Sequence, residues 1–199
     1  MDFLDRKAFD LLDLFAAGKN TPGAGSASAL MGALAGSLLQ TVARHTLKAA
    51  ENPKRQETYE PFRERAAVLL EQATGLSNRL RAAVDEDAAA FERYWKERSK
   101  ETLRQAIEVP IEIAEACAAL AEIGVELHEH GFKNAQGEAA AAIQSALAGG
   151  ETAAQAAWLN LKLAGAGNPW RDDVRALRRR LRELRGAVEE RIYHEEEPA

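Results

Sequence analysis

Residues 62–94 read FRERAAVLLEQATGLSNRLRAAVDEDAAAFERY. Within them Phe62, Ala66, Leu69, Ala73, Leu76, Leu80, Ala83, Asp87, Phe91 and Tyr94 recur at steps of three and four, the spacing that places side chains on one face of an α-helix. All but Asp87 are apolar or aromatic. A face this long has to be covered, so the stretch predicts a long helix in a bundle, beginning near Thr58 to Pro61 and running to about Arg98, with Asp87 pointing inward. A carboxylate on such a face loses hydration. It then needs a cation or a hydrogen-bond donor, or its pKa rises until it holds a proton near neutrality, which is how a general acid is made. The same position also suits a structural polar group bonded across the bundle or facing a wet groove.

The flanking sequence reads as helix throughout. Ala, Leu, Glu, Arg and Lys dominate the long segments, and β-branched runs of period two are absent, so the expected fold is all-α: one domain over residues 1–199, a bundle of about five to seven helices. A first helix is expected from about Asp2, as N-cap, to Gly18, with Leu4, Ala8, Leu11 and Phe15 as its core face. The loop Asn20-Thr21-Pro22-Gly23-Ala24-Gly25-Ser26 breaks it and opens a small-residue helix to about Ala50, where Gly32 and Gly36 allow close approach of neighbouring helices. Beyond the Asp87 helix, a helix from about Glu101 to His130 contains Pro110, which predicts a kink. An Ala-rich helix follows Gly137, and Gly149-Gly150 is expected to separate it from a segment holding Trp158, Asn160 and Leu163. After the linker Gly165-Ala166-Gly167-Asn168-Pro169, residues 169–199 form a packing or dimerisation helix whose seam is Val174, Leu177, Leu181, Leu184, Val188 and Ile192; its arginines, including Arg178-Arg179-Arg180, read as a solvated face.

Composition narrows the function classes. The 199 residues are 46% hydrophobic and carry a formal net charge of −5 without a basic patch, which argues against nucleic acid. Residues 21–43 are uncharged, but they are mostly Gly, Ser and Ala and lack aromatic anchors, so a buried helix is expected rather than a membrane span. No signal peptide is read at Met1-Asp2, the lone Cys117 falls in a core register with Pro110, Ile113, Leu120 and Gly124, and the cytoplasm is the expected compartment. A di-metal carboxylate site would need Glu-x-x-His on two helices, and His45, His128, His130 and His194 do not supply it, so no metal is expected. Gly23-Ala24-Gly25-Ser26 lacks the lysine of a phosphate loop. It does place glycines and open N–H groups at a helix start, which suits an anionic or carbonyl ligand as well as it suits a tight turn.

Two motifs together, Thr21-Pro22-Gly23-Ala24-Gly25-Ser26 entering an Ala/Gly helix and Val84-Asp85-Glu86-Asp87-Ala88-Ala89-Ala90-Phe91 on a later one, resemble the cyclodeaminase/cyclohydrolase family. That family includes the C-terminal domain of formimidoyltransferase-cyclodeaminase and stand-alone methenyltetrahydrofolate cyclohydrolases. The similarity extends in order over almost the whole chain, through the helix with interior Pro110 to an Ala-rich region ending Asn160-Leu161. It implies a homodimer or higher assembly, a tetrahydrofolate derivative as substrate with no further cofactor, a cleft near the Gly-rich loop, and Asp87 as the catalytic aspartate. Gly23, Gly25 and Ser26 are the implied substrate-binding residues of the loop, joined by Asn160 and by Glu138, which stands near the family's aspartate; Lys48, with His45 or Lys133, is the candidate for the glutamate tail. The chain departs from the family pattern at Ala24, where glycine is usual, at Ala156, where asparagine is usual, and over Gly131 to Glu138. Those departures keep open a second reading, a relative that retained the scaffold, to bind a small molecule or a protein partner, and lost the chemistry.

Overall fold

The computed structural model describes residues 7–164 and 168–193. Among these there is no strand. The helices are α1 (Ala8–Ala16), α2 (Ala24–Ala50), the short α3 (Gln56–Tyr59), α4 (Arg63–Glu97), α5 (Lys100–His130), α6 (Gln136–Leu163) and α7 (Trp170–Val188). Asp2 and Leu4, expected in the first helix, lie outside the described residues; Leu11 is buried in the main core and Phe15 packs against it.

The long helices run up and down. α2 is enclosed by α4, α5 and α6, and α7 closes the bundle against α5 and α6. α2 is long and apolar enough to cross a membrane, yet its Ala29, Ala35, Leu39, Val42 and Ala43 are wholly buried against other helices of the same chain. Small side chains make that enclosure possible: a Cβ on Gly32 would lie 2.6 Å from Cys117 Sγ, and one on Gly36 would lie 2.8 Å from Ser77 Cβ. Cys117 is a core residue, its thiol pushed up to about 12 by burial.

The predicted face of α4 is found where periodicity put it. Ala66, Leu69, Ala73, Leu80, Ala83 and Tyr94 are buried, with Phe62, Leu76, Asp87 and Phe91 half-buried along the same line. α4 starts at Arg63, behind α3 and a 3₁₀ turn over Glu60–Phe62 that holds Pro61. It ends where Arg98 takes the left-handed conformation at φ 52°.

One detail differs from expectation. Gly149-Gly150 does not break the Ala-rich segment, because α6 is continuous to Leu163. The pair lets α6 approach its neighbours: a Cβ on Gly149 would lie 2.9 Å from the Ser28 carbonyl oxygen and one on Gly150 would lie 2.9 Å from Leu181 Cδ2. The seam of α7 is buried within its own chain, Val174 and Leu181 completely and Leu177 and Val188 nearly so, and Ile192, in the turn that follows α7, continues it. Packing thus accounts for that apolar pattern.

The alternation of helix directions sorts the residues into two ends. One end gathers the start of α2, the last turns of α4, the start of α5, the last turns of α6 and the start of α7, where Ile107, Ala157, Leu161 and Val174 form a second apolar cluster. The other end gathers Ala49, Ala50, Tyr59 and Phe132.

Candidate active site

At the first end the start of α2 meets α4. Ser26, buried in the first turn, donates from Oγ to Asp87 Oδ2 at 3.1 Å. Gly25 is what lets the carboxylate sit there, since a Cβ at that position would overlap Oδ1 and Cγ and lie 2.6 Å from Oδ2. The loop before it is tied to the same helix, with Thr21 Oγ1 donating to Glu92 Oε1 at 2.6 Å. Burial pushes the Asp87 pKa above its ordinary value, and the Ser26 hydroxyl and amide pull it back only in part. A carboxyl so placed keeps its proton to higher pH than an exposed one and can both hold and release it beside the helix start.

Asp87 opens onto a cavity of about 230 Å³. Asn20, Thr21, Gly23, Ala24 and Gly25 form one wall, Asp87 and Phe91 of α4 another, and Thr152, Gln155, Ala156, Leu159 and Asn160 of α6 the third. The first N–H groups of a helix have no intrahelical partner, so those of Ala24 and Gly25 are donors available at this wall. Apart from Asp87 the walls are neutral. The volume is below the usual range for a drug-sized ligand, which suits the enclosure of the reacting part of a longer molecule.

The formiminotransferase-cyclodeaminase family profile matches residues 7–165, a span that takes in both motifs and every wall of this cavity. The chain belongs to that family. Over 204 aligned residues, 92% of this chain and 91% of the other, it is 27% identical to a methenyltetrahydrofolate cyclohydrolase of Methylorubrum extorquens. Its fold is similar to that of a formiminotetrahydrofolate cyclodeaminase from Thermotoga maritima, with a TM-score of 0.82, 20% identity, and coverage of 96% of this chain and 97% of that one.

Within this member of the formiminotransferase-cyclodeaminase family, Asn160 has a second task. Pro110 has no N–H, so the carbonyl of Ala106, four residues earlier in α5, has no intrahelical donor. Asn160 Nδ2 supplies one at 2.7 Å. This bond fixes the amide orientation and leaves Oδ1 as the acceptor that Asn160 offers to the cavity. Asn160→Leu is expected to cost about 1–2 kcal/mol, the penalty of an unpaired buried carbonyl, and a Pro110→Ala background, which restores the N–H, should remove most of that cost. Chemical denaturation of the two single variants and the double variant checks this; equal costs in both backgrounds would refute the link.

The remaining sequence candidates divide sharply. Gly23, Gly25, Asp87 and Asn160 line one cavity, with Ser26 directly behind Asp87. Lys48 is exposed at the far end of α2, about 35 Å from Gly25 at 1.5 Å per helical residue. Glu138 is exposed in the first turn of α6, about 33 Å from Asn160 by the same measure. His45 stacks on Phe132 with ring centroids 5.8 Å apart, and Lys133 Nζ caps the Glu129 carbonyl oxygen, both at that far end. None of these residues reaches the Asp87 cavity within the chain. Thr152, Gln155 and Leu159 were not among the sequence candidates, although their steps of three and four mark the α6 face that also carries Ala156 and Asn160. Among the described residues no group of His, Cys, Asp and Glu side chains converges as a metal site.

Proposed function

We propose that the protein is a folate one-carbon enzyme that hydrolyses the one-carbon bridge of 5,10-methenyltetrahydrofolate, with Asp87 as its general acid and base. The observation that carries this reading is the Asp87 carboxyl, half-buried against Gly25, bonded to Ser26 and open to the cavity. The methenyl carbon is electrophilic because it is bonded to two nitrogens that share a positive charge. Water adds to it, and ionised Asp87 takes one water proton as the carbon–oxygen bond forms. The resulting carbinol collapses: its hydroxyl proton is lost, the bond to N5 breaks, and Asp87 returns the proton to N5. Of the two protons of water one ends on N5 and one is released, giving 10-formyltetrahydrofolate. Each of these transfers gains when the acid has a pKa near the working pH, and burial moves Asp87 in that direction. The neutral walls around the cation suit a site that destabilises positive charge as the reaction removes it.

The raised pKa also favours a second reaction on the same groups, release of ammonia from formimidoyltetrahydrofolate. There N10 attacks the formimidoyl carbon and loses its proton, and protonated Asp87 delivers a proton to the departing nitrogen. A single spectroscopic assay separates the two, because methenyltetrahydrofolate absorbs where its open forms do not. Purified protein should speed the loss of methenyl absorbance. Appearance of that absorbance from formimidoyltetrahydrofolate, with no acceleration of its loss, would transfer the assignment to the deaminase. No change with either substrate would refute both.

A further inference from the structure

The cavity at Asp87 shares one side chain, Gln155, with a groove of about 340 Å³ between α6 and α7, lined by Glu151, Gln155, Arg178, Leu181, Arg182 and Arg185. Arginines at 171, 175, 178, 182 and 185 follow helical steps of three and four, so they form one stripe along α7. This concentration of cations stands out on a chain of net charge −5. Among the described residues the one acid lining the groove, Glu151, is already paired: Arg185 donates to both of its carboxylate oxygens, Nε to Oε1 at 2.7 Å and Nη2 to Oε2 at 2.8 Å. Among the described residues no carboxylate lies within ion-pair distance of Arg178 or Arg182. Arg178 is held over the face of Trp158 at 5.5 Å, a stacking that orders the guanidinium while its N–H edge stays available for a carboxylate.

We propose that this groove takes the carboxylates of the substrate's glutamate tail, with Arg178 and Arg182 as the residues that hold them. The inference rests on folate being the substrate, and the argument is one of continuity and charge. A folate whose one-carbon bridge lies at Asp87 carries its first tail carboxylates roughly 10 Å away, beyond the aromatic ring, by ordinary bond lengths. The cavity lining offers them no cation, whereas the groove beyond Gln155 offers two, Arg178 and Arg182, that no carboxylate among the described residues pairs with. Lys48, His45 and Lys133 are at the wrong end of the bundle for this task.

Isothermal titration with 5-formyltetrahydrofolate, as the monoglutamate and as the triglutamate, tests the assignment on the full chain. Wild-type protein should bind the triglutamate, and the Arg178→Gln/Arg182→Gln protein should bind it about tenfold more weakly, with a shallower salt dependence. Arg179→Gln removes one charge from the same helix outside the groove and should leave the affinity unchanged, and each of Arg178→Gln and Arg182→Gln, matched to it in charge, should weaken binding. A double variant that binds as tightly as wild type, or a wild type that binds neither form, would overturn the proposal. Turnover is scored separately: methenyl hydrolysis with unaltered binding in the double variant refutes the groove alone, and tail-dependent binding without turnover refutes the enzymatic reading alone.

Discussion

Asp87→Asn is expected to lower turnover of methenyltetrahydrofolate by two to four orders of magnitude, the range that positioned proton transfer contributes, while the protein remains folded. Asparagine keeps the shape and can still meet Ser26 Oγ, so what it removes is the capacity to gain and lose a proton. Stability should move the other way. Burial raises the Asp87 pKa from its ordinary 3.8, so the folded state prefers the protonated form more than the unfolded state does. Between the unfolded and the folded pKa the native protein therefore binds the extra proton, and stability falls as pH rises through that window. Above it the ionised carboxylate is a standing penalty. Asp87→Asn should thus melt at or above wild type at neutral pH, and the gap should close as pH is lowered toward the ordinary carboxylate range, where Asp87 is protonated in both states. Thermal melts of both proteins across pH, beside the turnover assay, measure the two effects. A variant that is inactive but less stable at neutral pH would mark Asp87 as a structural group whose loss damages the site indirectly.

The opposite signs matter because the sequence left Asp87 with both roles open. Its place was legible: the face from Phe62 to Tyr94 has a single interruption, and helical periodicity alone located it. The loop was legible too, since Pro22, Gly23 and Gly25 can only begin something new. What the sequence withheld depended on which helix lies against which. Gly149-Gly150 reads as a breaker when considered by itself and as a contact surface once Ser28, Cys117 and Leu181 are known to press on it. Asn160 carried a family resemblance, but its bond to Ala106 needs the register of α6 against the Pro110 turn of α5. Lys48 and Glu138 lie away from the cavity of their own chain for a simpler reason: long helices carry residues to the far end of the bundle, and proximity to a motif in the chain says little after twenty residues at 1.5 Å each. The arginines of α7 were visible in the sequence as charge, yet their position beside the cavity was not.

Gly25→Ala should reduce turnover nearly as far as Asp87→Asn does, about a hundredfold or more, without unfolding the protein. The added methyl would occupy the volume of the Asp87 carboxyl group, so the side chain has to leave Ser26 and turn away from the helix start. Backbone conformation gives no reason for harm, because Gly25 is in the first turn of α2 and alanine favours helix by up to about 1 kcal/mol over glycine. A one-carbon addition at a site of positive local propensity is thus predicted to abolish most of the chemistry while costing little stability, an outcome that a purely structural loop would not show. Coupling between the two positions is the decisive measurement. If Gly25 acts only by making room for the carboxylate, then Gly25→Ala added to Asp87→Asn should cost little further turnover, so the two losses are far from additive. Additive losses would mean that Gly25 serves the substrate directly, through backbone approach at the start of α2, and that the carboxylate's position is set by Ser26 alone.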